Sequence, residues 1–187
     1  MGVWLVWECG KVSLELISPL FLIFAKLSIE DFCREMDRKE KRNKIDKALK
    51  EILIPFLREK GFKGSLPHFR RQQSDRINLL TFQHSLYDTK FVIEIANCHP
   101  KGIEGFWEKE IPKNKVTAHH MAYRLRLGSE KHNTDYWFDY SKESIFSDNY
   151  KLIAKEIIDL WNEAENWWER DPYDQKNLRT MYGTNKV

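Results

Sequence analysis

A change of period along the chain constrains its fold more than any other feature. Between residues 38 and 60 the apolar side chains recur at helical spacing. Ile45, Leu49, Ile52, Leu53, Phe56 and Leu57 share one face, and Lys, Arg, Asp and Glu cover the other. From about residue 66 to 140 the period is two instead, in short runs rich in β-branched and aromatic residues. From Ser147 to Arg170 the helical period returns through Tyr150, Ile153, Ile157, Leu160, Trp161, Ala164, Trp167 and Trp168. A helix stripe and a sheet face each bury their apolar side only against another element. The order of helix, four to five strands with short connections, then helix predicts an α+β fold. Its antiparallel sheet should carry the N-terminal and C-terminal helices packed on one face.

Local signals set the boundaries. Pro55 removes a backbone donor and should bend the first helix, and Gly61 stands where a left-handed cap belongs. Leu66–Gln72 reads as an edge strand with Pro67 near its start. Arg76–Ser85 and Thr89–Asn97 read as strands joined by a turn at Leu86-Tyr87-Asp88. Within Thr89–Asn97, Phe91, Ile93 and Ile95 point one way and Val92, Glu94 and Ala96 the other, which predicts a wetter second face. Residues 98–114 hold Pro100, Gly102, Gly105 and Pro112 and read as a long loop, which also carries Phe106 and Trp107. Lys115–Leu127 reads as a further strand. His119, Met121, Tyr123, Leu125 and Leu127 then share one face, and Ala118, His120, Ala122, Arg124 and Arg126 the other. Asp135–Tyr140 is the last strand. Ser147 is the expected N-cap of the final helix, and Asp171-Pro172 stops it.

The two ends differ from this middle. Residues 12–25 are the most apolar stretch, but a spanning helix needs about 20 apolar residues, and Glu15 and Pro19 interrupt this one. No basic residue precedes Lys11, and Ala25-Lys26-Leu27 is a poor cleavage site. Composition shifts at Met36, which is followed by Asp37-Arg38-Lys39-Glu40-Lys41-Arg42. The expected organisation is a leader over residues 1–35, read as a gene-start artefact ahead of a true start at Met36. A single domain then covers 36–171, and a polar tail covers 172–187. A membrane role arises only if residues 12–25 are a real anchor.

Composition narrows the function classes. With 42% apolar and 32% charged residues, wholesale disorder is excluded. The 31 basic and 28 acidic residues are too evenly matched for a nucleic-acid binder, which concentrates a basic face. Cys9, Cys33 and Cys98 are odd in number and lack framework spacing, which argues against a disulfide scaffold and for a reducing cytoplasm.

The strongest candidate for chemistry is the polar side of the Lys115–Leu127 segment, where His120, Arg124 and Arg126 alternate on one face. Neighbouring strands could add Arg70, Arg76 or Glu94. Two or three Arg on a sheet face bind a phosphate or carboxylate bidentately; the blander reading is a solvated face paired with acids. The clusters Cys98-His99 and His119-His120 consist of adjacent residues, which point opposite ways on a strand, so no metal site is expected. Cys98 is a conceivable nucleophile beside His99, but a lone strand-end Cys is more commonly a small buried residue. Glu104, Glu108 and Glu110 beside Lys109 read as solvated charge. No Gly-rich phosphate loop or nucleophile elbow occurs, so no catalytic residue and no cofactor is assigned. Trp161, Trp167 and Trp168 crowd the last two helical turns. Trp167 and Trp168 are neighbours, so one should reach the sheet and the other should pack on a loop, the tail or a protein partner.

Several segments resemble, as an ordered set, the bacterial domain of unknown function 4304 family. They are "LREKGFKG", "FRR", "INLLTFQHS", "KFVIEIAN", "AYRLRLG" and "DYWFDY", within residues 45–140. The resemblance implies a small bacterial α+β domain with no assigned catalytic motif. The leading functional expectation is a non-catalytic protein-binding module, of immunity type by analogy, acting through its sheet edge or the Trp-bearing helix. The alternative is a ligand-binding or enzymatic domain that grips an anionic group with sheet-face Arg and His. A concave site around His120, Arg124 and Arg126 favours the alternative; Arg residues each paired to a carboxylate favour the first.

Overall fold

The computed structural model describes residues 6–7, 10–11, 19–103, 111–142 and 148–170, with side chains from residue 29 onward. The chain divides into two units, Met1–Glu40 and Lys41–Val187. In the first, β1 (Val6–Trp7) and β2 (Gly10–Lys11) pair antiparallel. Helix α1 (Pro19–Ala48) begins there and ends in the second unit. It passes through Met36 without a break, whereas the sequence pattern placed the helix start just after that residue. Among the described residues, no helix is long and apolar enough to cross a membrane.

In the second unit the end of α1 leads into a π-helical turn, Leu49–Leu53, and then α2 (Ile54–Glu59). Pro55 has no N–H for the carbonyl of Glu51, and the wide turn directly before it absorbs that loss, where a simple bend was expected. The helix stops as predicted. Gly61 takes φ +83°, and the Phe62 N–H donates to the Leu57 carbonyl at 2.9 Å.

The antiparallel sheet contains β3 (Lys63–Ser65), β4 (His68–Gln72), β5 (Ile77–His84), β6 (Lys90–Cys98), β9 (Leu125–Arg126) and β10 (Phe138–Asp139). Its order is β10-β6-β5-β4-β3, and β9 pairs with β6 as well. β10 pairs with Lys90 and Phe91, and β9 with Glu94 and Ile95, so the two short strands share one edge of β6. β4 lies inside the sheet, because the three-residue β3 covers the edge position expected for it. Between β6 and β9, β7 (Gly102–Ile103) pairs with β8 (Ile111–Pro112). Glu104, Phe106, Trp107, Glu108 and Glu110 lie outside the described residues.

The sharpest departure from the sequence pattern is at 115–127. This segment is not one strand but a 3-10 turn, Ala118–His120, followed by the two-residue β9. It crosses over the second face of the sheet. Val116 and Ala118 are buried there, and the Ala118 N–H donates to Thr81 Oγ1 at 3.2 Å. The short α3 (Ser129–His132) then leads to β10. The C-terminal helical region is two helices, α4 (Asn149–Asp159) and α5 (Trp161–Glu169), with Leu160 at ψ −2° between them. Asp148 caps α4 by accepting the Lys151 N–H at 3.3 Å; Ser147, the expected cap, lies outside the described residues.

The main core forms on the first sheet face. Ile45, Leu49, Leu53 and Leu57 from the N-terminal helices and Ile153, Ile157 and Trp161 from α4 and α5 meet Phe69, Leu80, Phe82, Phe91, Ile93 and Ile95. A smaller cluster on the second face joins Ile77, Leu79, Ala96 and Cys98 to Val116 and Ala118. Val92, Glu94 and Ala96 are buried, although this side was expected to be wetter, and the overlying segment packs on Ala96.

Candidate functional site

Strand register draws one line of polar residues across the second face. Ser65 lies opposite His68, His68 opposite Thr81, Thr81 opposite Glu94, and Glu94 opposite Arg126. Directly opposed residues share a face, so the line is continuous across five strands. It lies beside the apolar patch that the 115–121 segment covers.

Glu94 is its centre. The side chain is only 5% exposed, yet three cationic or titratable groups converge on its carboxylate. Oε2 is 3.2 Å from His119 Nδ1 and 3.4 Å from Arg124 Nε, and Oε1 is 3.8 Å from Arg126 Nε. The side chains of His119, Arg124 and Arg126 remain 42%, 36% and 32% exposed. The two near groups are close enough for Coulomb attraction but are not aligned as donors. Among the described residues no group hydrogen-bonds Oε2. Arg126 also donates through Nη1 to Asp135 Oδ1 at 2.6 Å, with its guanidinium over the Trp137 ring. Arg124 Nη1 donates to the His119 carbonyl at 3.2 Å.

The other end of the line is organised by Thr81, which is fully buried. Its Oγ1 accepts the Ala118 N–H and lies 3.1 Å from His68 Nδ1. The Thr81 oxygen thus joins the crossing segment to the His68 ring. The His68 pKa is lowered, first by burial, then by the positive charges of His119, Arg70 and His120. The His68 and His119 rings meet edge to face at 5.9 Å. Burial also lowers the Arg70 pKa, and its Nε donates to the Val116 carbonyl.

Of the candidates read from sequence, Arg124, Arg126 and Glu94 come together, and Arg70 is close enough to bear on His68. Arg124 and Arg126 are each paired to a carboxylate, the arrangement that the sequence reading set on the side of the protein-binding module, although both stay partly open to water. His120 does not join them: the 3-10 turn that replaces the predicted strand exchanges the two histidines. His119 faces Glu94, while His120 Nδ1 accepts the Thr117 N–H at 3.0 Å as a cap. Arg76 is engaged elsewhere, with Asp75 and the Trp168 carbonyl. Trp161, Trp167 and Trp168 are buried within this chain rather than offered to a partner. Trp168 donates to the Ala96 carbonyl at 3.1 Å, Trp167 stacks on Tyr123 of the loop, and Trp161 packs edge-on against Phe56 and Phe62. One neighbour reaching the sheet and the other a loop is the division expected for Trp167 and Trp168.

Burial pushes the Cys98 thiol up to about 11, only partly offset by a backbone hydrogen bond at His99, which leaves it a poor nucleophile. Among the described residues, no three His, Cys, Asp or Glu side chains converge as a metal site. His68, Thr81 and His119 are the site residues that sequence reasoning missed. A faint signal existed in the lone polar residue inside each apolar run, Thr81 in "LLTF" and Glu94 in "VIEIA".

This arrangement suits binding of an oxyanion: forked donors held in place by an internal carboxylate, beside a histidine whose pKa is lowered. No curated protein and no solved structure matches the chain. The family model described as Domain of unknown function (DUF4304) matches residues 53–171, which include every residue of the polar line and all of the groups around it. With well over half its length matched, the chain belongs to that family.

Proposed function

We propose that this domain is a binding module that takes an anionic group, a phosphate or carboxylate, on the polar half of its second sheet face. One observation carries the reading: a single buried carboxylate gathers His119, Arg124 and Arg126, each of which keeps about a third or more of its side chain open to water. Among the described residues, Glu94 and Asp135 are the acids that pair with Arg124 and Arg126, and Arg70 adds a further cation on that face, so basic groups outnumber acidic ones there. Glu94 acts as the internal counter-charge that orients the donors before a ligand arrives, which lowers the ordering cost of binding. The His68 pKa is lowered first by burial and then by the basic groups around it, which agrees with a positive local field. A protein contact through Trp161, Trp167 and Trp168 has no comparable support, since all three are buried.

Isothermal titration of the full chain with inorganic phosphate and with acetate tests this at low ionic strength, about 20–50 mM, where the charges are least screened. Saturable binding of at least one anion is expected. It should weaken with added salt and fall about fivefold or more in Arg124→Ala, the loss of one charge-assisted contact. Lys155→Ala, on the exposed side of α4, should leave it unchanged. No saturable binding, or equal binding by Arg124→Ala, refutes the proposal.

A further inference from the structure

We infer that the ligand of this face carries a hydrogen-bond donor, a hydroxyl or amino group, next to its anionic group, and that Glu94 Oε2 accepts it. This rests on the anion-binding reading and specifies its ligand class. A carboxylate is acceptor-only, and a buried charged oxygen left without a donor is costly, so its neighbours normally satisfy it. Here they do not. His119 Nδ1 and Arg124 Nε are within 3.4 Å of Oε2 but not aligned with it. Thr81 does not bond Oε2 and is engaged with Ala118 and His68, and the backbone around Glu94 is engaged in pairing with β5 and β9. No described residue supplies the missing donor, and a ligand can. A cation would serve Oε2 electrostatically, but Arg70, Arg124 and Arg126 repel one. A neutral donor attached to an anion satisfies both the oxygen and the excess positive charge.

The arrangement also bears on spacing within the ligand. The side chains covering Oε2, His119 and Arg124, are the most exposed of the three around Glu94, so they can swing outward and keep donors for the anion. Donor and anionic group then bind at adjacent positions, which suits an α- or β-substituent.

Titration calorimetry of the full chain with matched pairs tests the inference: glycerol 3-phosphate against n-propyl phosphate, and lactate against propionate. Each pair holds the charge constant and changes the hydroxyl content. The hydroxylated member of at least one pair should bind about tenfold tighter, the worth of a hydrogen bond to a charged acceptor. In Glu94→Gln that preference should fall below about threefold, because the amide is a weaker, neutral acceptor. Equal wild-type affinity within both pairs overturns the inference and leaves anion binding standing. An undiminished preference in Glu94→Gln also overturns it. Failure of all four compounds to bind removes the anion reading itself. The wild-type comparison decides even if the variant does not fold.

Discussion

Arg71→Ala should cost the domain about 3 kcal/mol, because one side chain ties β4 to α5 and satisfies three different groups. The Arg71 fork donates through Nη1 and Nη2 to Glu165 Oε1 and Oε2 at 2.8 and 2.6 Å, and through Nε to Asn78 Oδ1 at 2.9 Å. Its guanidinium lies 4.8 Å from the Phe62 ring and 5.2 Å from the Trp168 ring. Removing one partner of a fully buried ion pair costs about 3–5 kcal/mol, and of an exposed pair about 0–1. Arg71 is 13% exposed and Glu165 28%, which places this pair between those limits, at roughly 2 kcal/mol. The Asn78 oxygen, in a residue 1% exposed, adds about 1 kcal/mol when it loses its donor. The ring contacts are worth some tenths more, and the parts are not additive because they belong to one group.

The measurement is urea unfolding at pH 7, with the slope m as a check that the unfolded state is unchanged. About 3 kcal/mol should appear as a fall in Tm on the order of 10 °C for a domain of this size. The difference should also depend on pH. Burial alone would raise the Glu165 pKa, but hydrogen bonds from Arg71 and Trp161 and the charges of Arg71 and Lys60 together outweigh it, so the folded value lies below the ordinary one. A depressed carboxylate contributes stability above its unfolded pKa and loses it as pH falls through the folded value. The gap between wild type and Arg71→Ala should be full well above pH 4.5 and narrow below it by the share that Glu165 contributes. A loss under about 1 kcal/mol at pH 7, or a gap that stays constant down to pH 3, refutes this account of the pair.

Glu94→Gln should leave urea stability within about 1 kcal/mol of wild type or raise it, since it neutralises a buried carboxylate with an unsatisfied oxygen; a loss above about 2 kcal/mol would make Glu94 a structural residue. His68 is held below its ordinary pKa of 6.5. The unfolded chain therefore binds its proton more readily, and stability contributed by the neutral ring is complete above pH 6.5 and declines as pH falls from there toward the folded value. His68→Asn should flatten that part of the stability profile, and an unchanged slope counts against the assignment. Gly64→Ala should cost at least about 2 kcal/mol by thermal melting. Its φ is +119°, and an added Cβ would lie 2.3 Å from the His68 carbonyl oxygen; a variant as stable as wild type contradicts that geometry.

Where periodicity was strong, the fold was legible. Ile45, Leu49 and Leu53, then Phe91, Ile93 and Ile95, then Ile153 and Ile157 all enter one core, because a stripe or a sheet face buries its apolar side as a unit. Residues 115–127 misled for the same reason. Alternation in "KVTAHHMAYRLRL" fits a strand, but the segment instead packs Val116 and Ala118 onto Leu79 and Ala96, and a 3-10 turn then decides which histidine faces Glu94. Local pattern carries no record of such long-range packing. Arg124 and Arg126 were found because β9 does continue the alternation at that point. His68 and Thr81 were missed because their neighbours come from register between strands, which single-strand alternation does not reveal. The π-turn before Pro55 was anticipated only as a bend, since the missing N–H is visible in sequence and the manner of accommodating it is not.

The sheet carries two polar lines, and their difference is the physical basis for placing function on one of them. On the first face Arg71, Asn78 and Asn97 lie in register. Arg71 binds Glu165 and Asn78, Asn78 donates to Asn97 at 2.7 Å, and Asn97 donates to the Trp168 carbonyl at 2.9 Å. That line fastens α5 to the sheet, and a fully satisfied network of this kind needs no ligand to account for it. On the second face His68, Thr81, Glu94 and Arg126 are equally well aligned, but the buried carboxylate at the centre keeps an oxygen that nothing described in the chain satisfies. An apolar residue at position 94 would extend the patch of Leu79 and Ala96 at no electrostatic cost. Packing alone does not account for a charge at that position, whereas the proposed role, orienting His119, Arg124 and Arg126 for an anion, would.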